Sequence, residues 1–406
     1  MLTIHLLPAL YGDTILIDIA KNENQPNTNI LVDCGFNFTS GLLPLLEDHH
    51  TKGKIIDRFI ITHYDEDHIS SAAKLIKDNG SASSAKIIKI DQVWHNAYRH
   101  LQFEKQNLKP LSPLEEGPLK NFIASQNPQD TSRGTQIGAK QASKLGKELL
   151  SGDYSWNTDF QGQAVCIEHK TEVLIKEGVK IILLGPNKTQ LQALESAFKR
   201  GLKEFGVTLS ASEFIDDAFE LYIKSIEKGE VENYQGEITG SLISSFTPEI
   251  IESIVKNAKY KADRTVGNGS SISFILEADH KKILFLADAH AEPIIEQLQL
   301  LYPGQDKLFF DAVKVGHHGS LANNPRKLYD YIDSPLYLIS TNGEHPSHAH
   351  PDIETLAFII NRPLPENLTS RKLFFNYAPK NLAGIFDDNL KEKLNYTTEV
   401  SNKIDL

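Results

Sequence analysis

Short apolar runs open this 406-residue chain and return in its last third, and that arrangement restricts it to a sheet-rich α/β architecture. LTIHLLPA, TILIDIA and NILVDCG follow one another up to Gly35, each β-rich and bounded by Gly, Asp, Asn or Pro. A fourth run, KIIDRFIITH, ends on a knot of ionisable side chains, His63-Tyr64-Asp65-Glu66-Asp67-His68. ISSAAKLIKDNG follows with helical apolar spacing and an Asn-Gly stop, so the knot is predicted on a strand-to-helix loop. AKIIKIDQVWHNAY carries a further strand into His95.

From residue 101 to 165 the pattern dissolves into Gln, Asn, Pro, Ser and Gly, apart from a weakly helical GAKQASKLGKELL. VLIKEGVKIILLGPN then reads as a hairpin, and TQLQALESAFKRGLKEFG, ASEFIDDAFELYIKSIEKGE and TPEIIESIVKNAKYK read as helices. Strands resume at SSISFILEA, KKILFLADA, DAVKVGHHGS and PLYLISTNG, with helices at EPIIEQLQLLYP and DIETLAFII. Two β-rich halves, 1–100 and 263–362, therefore flank a mixed loop-and-helix insertion at 101–262. An extension at 363–406 contains a candidate strand in RKLFFNYAP and an acidic end expected to be mobile. No repeat of solenoid period is present.

A formal charge of −11 and a pI near 5.8 argue against a broad basic face that neutralises duplex phosphates. Cys34 and Cys166 are the only cysteines, which excludes a disulfide framework and Cys₄ zinc and fits a reducing cytoplasm. The first residues lack a basic n-region and a small-residue cleavage site, and no apolar run is long enough to span a membrane. A soluble cytoplasmic protein is expected.

The His63–His68 knot offers four candidate ligands, His63, Asp65, Asp67 and His68, of the types that zinc, manganese or iron accept. A plain helix cap at Asp67 explains neither histidine. Two metals about 3.5–4 Å apart activate a bridging water and stabilise a leaving oxygen. His317, His318 and Ser320 sit in a Gly-flanked turn just past a strand, where imidazole, hydroxyl and backbone NH groups can meet an anionic oxygen. Either histidine is a candidate proton donor; the alternative is a pair that braces the metal loop. Asp33 is a candidate for orienting a ligand. Cys34 reads as a packed thiol, His5 as a core or interface histidine, and His49, His50, His100, His169, His280 and His290 as surface residues. GPNK at Gly185 lacks the spacing of a phosphate-binding loop.

HxDxDH at His63, Asp65, Asp67 and His68 resembles the HxHxDH signature of the metallo-β-lactamase superfamily, in the variant of ComEC/Rec2-like competence proteins with Asp in place of the second His. Supporting motifs follow in order: Gly12-Asp13, LVDCG around Asp33, NGSSISFIL from Asn268, FLADAHAE around Asp288, VKVGHHGS and HPDIETL from His350. The resemblance implies an αββα sandwich with a large, partly helical insertion, and two divalent metals, Zn or Mn. It also implies that His63 and Asp65 hold one metal, that Asp67 and His68 hold the other, and that Asp288 bridges them. Ala287 stands where the family carries Gly, which implies a tightened backbone. His350 matches the first His of the family's HP-x-x-E-x-L and is taken as the last ligand, with His348 in reserve and His345 left as solvated loop. His95 is either a further ligand or a hydrogen-bonding partner beside Asn96.

Together these features point to a metal-dependent hydrolase with Asp67, His317, His318 and Ser320 as catalytic residues. The reaction expected is that of a phosphodiesterase or nuclease, in which a metal-bound hydroxide attacks a nucleotide or single-stranded nucleic acid. Two alternatives stay open: an esterase, lactonase or phosphorylcholine esterase on the same metals, and a partner-gated effector of a bacterial multi-gene system such as a defence locus. The insertion is the candidate surface for a protein partner or a second copy.

Overall fold

The computed structural model describes residues 1–20, 27–101, 145–204, 216, 219, 220, 222, 246–345, 349–366 and 368–406. Alternation along the early strands sets the layering. In β2 (Ile15–Ile19), Ile15, Ile17 and Ile19 point into one core, while Leu16 points into another. β1 (Leu2–Leu6) and β3 (Thr28–Val32) repeat this, with Leu2, Ile4 and Leu6 inward and Leu31 outward. Sheets with two apolar faces must be covered on both.

The first sheet continues through β4 (Arg58–Ile60) and β5 (Val93–Trp94). The second contains β6 (Glu172–Lys176), β7 (Val179–Gly185), β8 (Ser273–Ala278), β9 (Lys281–Phe285), β11 (Ala312–Lys314), β13 (Leu336–Ile339), β14 (Arg371–Phe375) and β15 (Tyr396–Val400). β10 (Leu308–Phe309) and β12 (Ile332–Asp333) form a small separate pair. Phe274, Leu276, Phe285 and Leu338 meet the inward residues of β1–β3 in a core between the sheets. Helices Leu43–Thr51 and Ala72–Asn79 cover the outer face of the first sheet, and Ala291–Leu301 and Ile353–Ile360 that of the second. This is the αββα sandwich.

Three features differ from the sequence reading or extend it. The hairpin β6–β7 falls inside the 101–262 stretch but pairs with β8 as the edge of the second sheet, so the sheet crosses the boundary expected at 262. The acidic end, expected to be mobile, forms β16 (Lys403–Asp405) and pairs antiparallel with β1, with Thr3 Oγ1 donating to Asp405 at 2.6 Å. Leu145–Ser151, Lys188–Glu204 and Pro248–Asn257 are helical as read, whereas most of 101–144, the helix expected over 211–230, and His348 lie largely or wholly outside the described residues.

β3, β4 and β5 run parallel, as do β9, β11 and β13. Their C-terminal ends therefore open at one edge of each sheet, the usual place for a ligand in such a layout. The residues that follow these ends are Asp33, His63, His95, Asp288, His317 and Thr341.

Candidate metal centre

After β4 the chain stays extended through Asp65 (φ −60°, ψ 140°) and then turns into the single-turn helix Glu66–Ile69. The loop is held by backbone bonds from other segments: Asp13 N donates to the Asp67 carbonyl at 3.1 Å, and Cys34 N to the His68 carbonyl at 2.9 Å. Such close approach explains two glycines. A Cβ at either Gly12 or Gly35 would stand 2.0 Å from the Asp67 carbonyl oxygen, which no side chain tolerates.

Asp33 orients the histidines. It accepts hydrogen bonds from Thr62 N at 2.7 Å, from Thr62 Oγ1 at 2.8 Å and from His68 Nδ1 at 2.8 Å. Because the Thr62 hydroxyl donates to Asp33, it accepts from His63 Nδ1 at 2.9 Å. Both imidazoles are thereby fixed with Nε2 lone pairs facing inward, the arrangement by which carboxylates set metal-ligating histidines.

The second half of the chain closes the centre from two strand ends. Asp288 follows β9 and is 1% exposed, with Oδ1 3.5 Å from His68 Nε2 and Oδ2 3.9 Å from His63 Nε2. His317 and His318 follow β11 in consecutive left-handed conformations (φ 42° and 52°), a backbone that non-glycine residues adopt at a cost. This double twist brings their Nε2 atoms to 3.6 and 3.9 Å from Asp288 Oδ2. His318 Nδ1 donates to the Ser340 carbonyl at 2.8 Å, which leaves its Nε2 3.2 Å from His68 Nε2 and 3.0 Å from Asp67 Oδ2.

Among the described residues, three groups of ligand atoms lie within 4.8 Å of one another, His63–His68–Asp288, Asp67–His68–His318 and Asp13–Asp33–His68; the third is taken up by the Asp33–His68 hydrogen bond and the Asp13–Lys314 ion pair, which leaves the first two for an ion. They share His68, and Asp288 reaches both. Asp65 Oδ1 stands 3.3 Å from His63 Nε2. A tetrahedral ion with bonds of about 2.0–2.1 Å sets its ligand atoms roughly 3.3 Å apart, close to these separations. His63 Nε2 and both oxygens of Asp288 are buried without a hydrogen-bond partner, an arrangement that a cation satisfies. The residues therefore fit divalent metal.

Electrostatics agree. Burial opposes protonation of His68, yet Asp288, Asp67 and Asp33 outweigh it and hold its pKa well above the ordinary imidazole value. Burial likewise opposes ionisation of Asp288, and His68 and His317 overcome it, leaving its pKa well below the usual carboxylate range. Asp67 is lowered against burial by His68 and His318. A site that draws protons onto its histidines in this way is one that cations can occupy. Asp13 lies next to it, paired with the buried Lys314 at 2.7 Å and lowered, against burial, by that ammonium and by His318.

The remaining candidates fall around this cluster. His350 is not in either ligand group; its ring lies edge-on to His317 with centroids 5.3 Å apart, on the wall of a cavity of about 430 Å³ that opens over the centre. Ser320, His317 and His318 line the same cavity. His95 packs between Tyr64 at 4.8 Å and Trp156 at 6.2 Å, outside the ligand groups. His345, expected as solvated loop, instead lines the cavity with its ring 4.7 Å from Tyr11. His49 and His100 are also not surface residues: His49 is buried against Asp18 at 2.7 Å, and His100 against Trp156 at 4.6 Å. Cys34 is buried and its thiol is pushed up by burial, so it is a packed thiol as read.

Sequence reasoning missed one set of residues. Asp263 accepts from Asn268 Nδ2 at 2.7 Å and from Asn323 Nδ2 at 2.9 Å, and Asn323 Oδ1 contacts His317 Nδ1 at 2.8 Å. These amides fix the HHGS turn. Asn268 stood in the quoted NGSSISFIL motif, but neither Asp263 nor Asn323 carried a local signal.

Residues 8–141 match the Metallo-beta-lactamase superfamily, a span that holds Gly12, Asp33 and the whole His63–His68 loop. Asp288, His317 and His318 lie beyond it and join the centre through the fold. No curated protein matches the chain. Among the described residues, no helix is long and apolar enough to cross a membrane.

Proposed function

We propose that this chain is a metal-dependent phosphodiesterase acting on a nucleotide or a single-stranded nucleic acid, of the ComEC-like type. The observation that carries the reading is the carboxylate-rich cluster: half-buried Asp65 and Asp67 and buried Asp288 stand among His63, His68 and His318 at the floor of an open cavity. Oxygen ligands suit the metals that act on phosphates. Two bound divalent ions, Zn or Mn, would supply an activated water and charge stabilisation for a displaced oxygen.

The chain's own groups do the rest. His63, Asp65 and Asp288 would hold one ion, and Asp67, His68, His318 and Asp288 the other. Asp33 and Thr62 keep the two loop histidines in the ligating tautomer. His317 lines the cavity with Nδ1 held by Asn323, so its Nε2 is placed to hold a proton for the departing oxygen. Ser320 and His350 face the same space and bind or orient the substrate.

Turnover of bis-p-nitrophenyl phosphate, compared with lactone and β-lactam substrates under Mn²⁺ or Zn²⁺, tests the reading. Phosphodiester cleavage that disappears with chelator is expected. Clear acyl hydrolysis with no phosphodiester turnover would overturn it in favour of an esterase or lactonase.

A further inference from the structure

The cavity above the metal floor has cations on its wall that the proposed reaction does not use. Lys261 and Arg264 line it, and both come from the short segment that precedes the helical turn Val266–Gly269. Among the described residues, the Arg264 side chain has no ion pair or hydrogen bond, although it is an exposed guanidinium in a chain of net charge −11. The segment is not loosely placed. Asp263, between the two cations, is tied through Asn268 and Asn323 to the HHGS turn, and its backbone N donates to the Ala322 carbonyl at 3.1 Å. The same amides that position His317 therefore also fix where Arg264 starts from.

Other acidic groups on the wall, Asp65 and Asp67, belong to the metal floor, where cations would neutralise them. Tyr11 lines the cavity too, with its ring braced edge-on by Phe36 at 4.9 Å and by His345 at 4.7 Å. An aromatic ring, a metal floor and a planar guanidinium on one cavity offer three different contacts to a ligand: stacking, phosphoryl binding at the floor, and a forked pair to a second phosphate.

We infer that Arg264, assisted by Lys261, is a specificity-determining anion subsite that binds a second phosphate of the substrate, next to the phosphodiester at the metals. The site then selects nucleotides bearing two phosphates, as at the end of a single strand, over singly charged diesters and neutral esters. This inference rests on the phosphodiesterase reading for its substrate class, but not for its measurement.

Equilibrium titration of the full-length, Mn²⁺-loaded protein with thymidine 3′,5′-bisphosphate and with thymidine 5′-monophosphate tests it. The wild type is expected to prefer the bisphosphate, and Arg264→Ala to weaken bisphosphate binding roughly tenfold, the scale of one charge-assisted contact, while monophosphate binding changes far less. Lys261→Ala should weaken it in the same direction but less, and the wild-type preference should shrink as salt rises, as expected for an exposed charge. Both side chains are exposed, so the variants should fold. Equal losses for the two ligands, or no loss in either variant, would overturn the subsite even if phosphodiesters are cleaved. An Arg264-dependent preference in a protein that cleaves no phosphodiester would support the subsite and remove only the proposed reaction.

Discussion

The first half of the centre delivers its candidate ligands from one loop of six residues, His63 to His68, whereas the second half delivers Asp288 and His318, with His317 beside them, from two separate strand ends. The loop is held by backbone bonds to the Gly12 and Gly35 turns and by one carboxylate, Asp33. The strand ends are held by left-handed backbone at Ala287 (φ 46°), His317 and His318, and by the side-chain amide of Asn323. One half is built by close packing around left-handed Asp33 (φ 59°), and the other by a run of left-handed turns with side-chain props. The halves should therefore respond differently to substitution.

The largest effect is expected where the two halves meet. Asp288→Ala removes the group that reaches both ligand sets, and should lower turnover roughly thousandfold, several kcal/mol of lost transition-state stabilisation. Steady-state kinetics with excess metal measures it; a loss under tenfold would mean that Asp288 is not central. The next effect lies in the loop half. Gly35→Ala forces a methyl against the Asp67 carbonyl and should cost about 2–3 kcal/mol in a denaturant melt, with metal retention falling in parallel. An unchanged midpoint would contradict close packing as the device that holds the loop.

Asp33→Ala frees His68 and Thr62, and should lower metal affinity roughly ten- to hundredfold. A competition titration against a metal-binding dye reads this directly. The smallest effect belongs to the half with the run of left-handed turns. Ala287→Gly relieves a left-handed alanine but removes a buried methyl and loosens the unfolded chain, so the net stability gain should be under about 1 kcal/mol. A large loss in thermal unfolding would show that the methyl matters more than the strain.

The same contrast explains what could be read from the sequence. His63, Asp65, Asp67 and His68 stood out because all four lie on one strand-to-helix loop, and Asp288 because FLADAHAE resembles a family motif. His318 was visible as chemistry, but its place among the ligand atoms was not: that depends on its Nδ1 finding the Ser340 carbonyl, a contact between two strands. His49 and His100 looked like surface residues because Asp18 and Trp156, which bury them, are distant in sequence. The tail looked mobile because its partner, β1, is at the other end of the chain. The motif series made the sandwich legible through the resemblance it carries, whereas the joining of β6–β7 to the second sheet required pairing with β8, nearly a hundred residues later by the register of Val179 with Ala278.

In the proposed function, both halves build one two-metal centre. Elemental analysis of the purified chain, wild type beside Asp288→Ala, tests it most directly. Two divalent ions per wild-type chain, with one or none in the variant, is the predicted result. A wild-type chain that takes up no Zn²⁺ or Mn²⁺, or a variant that keeps both ions, would contradict it.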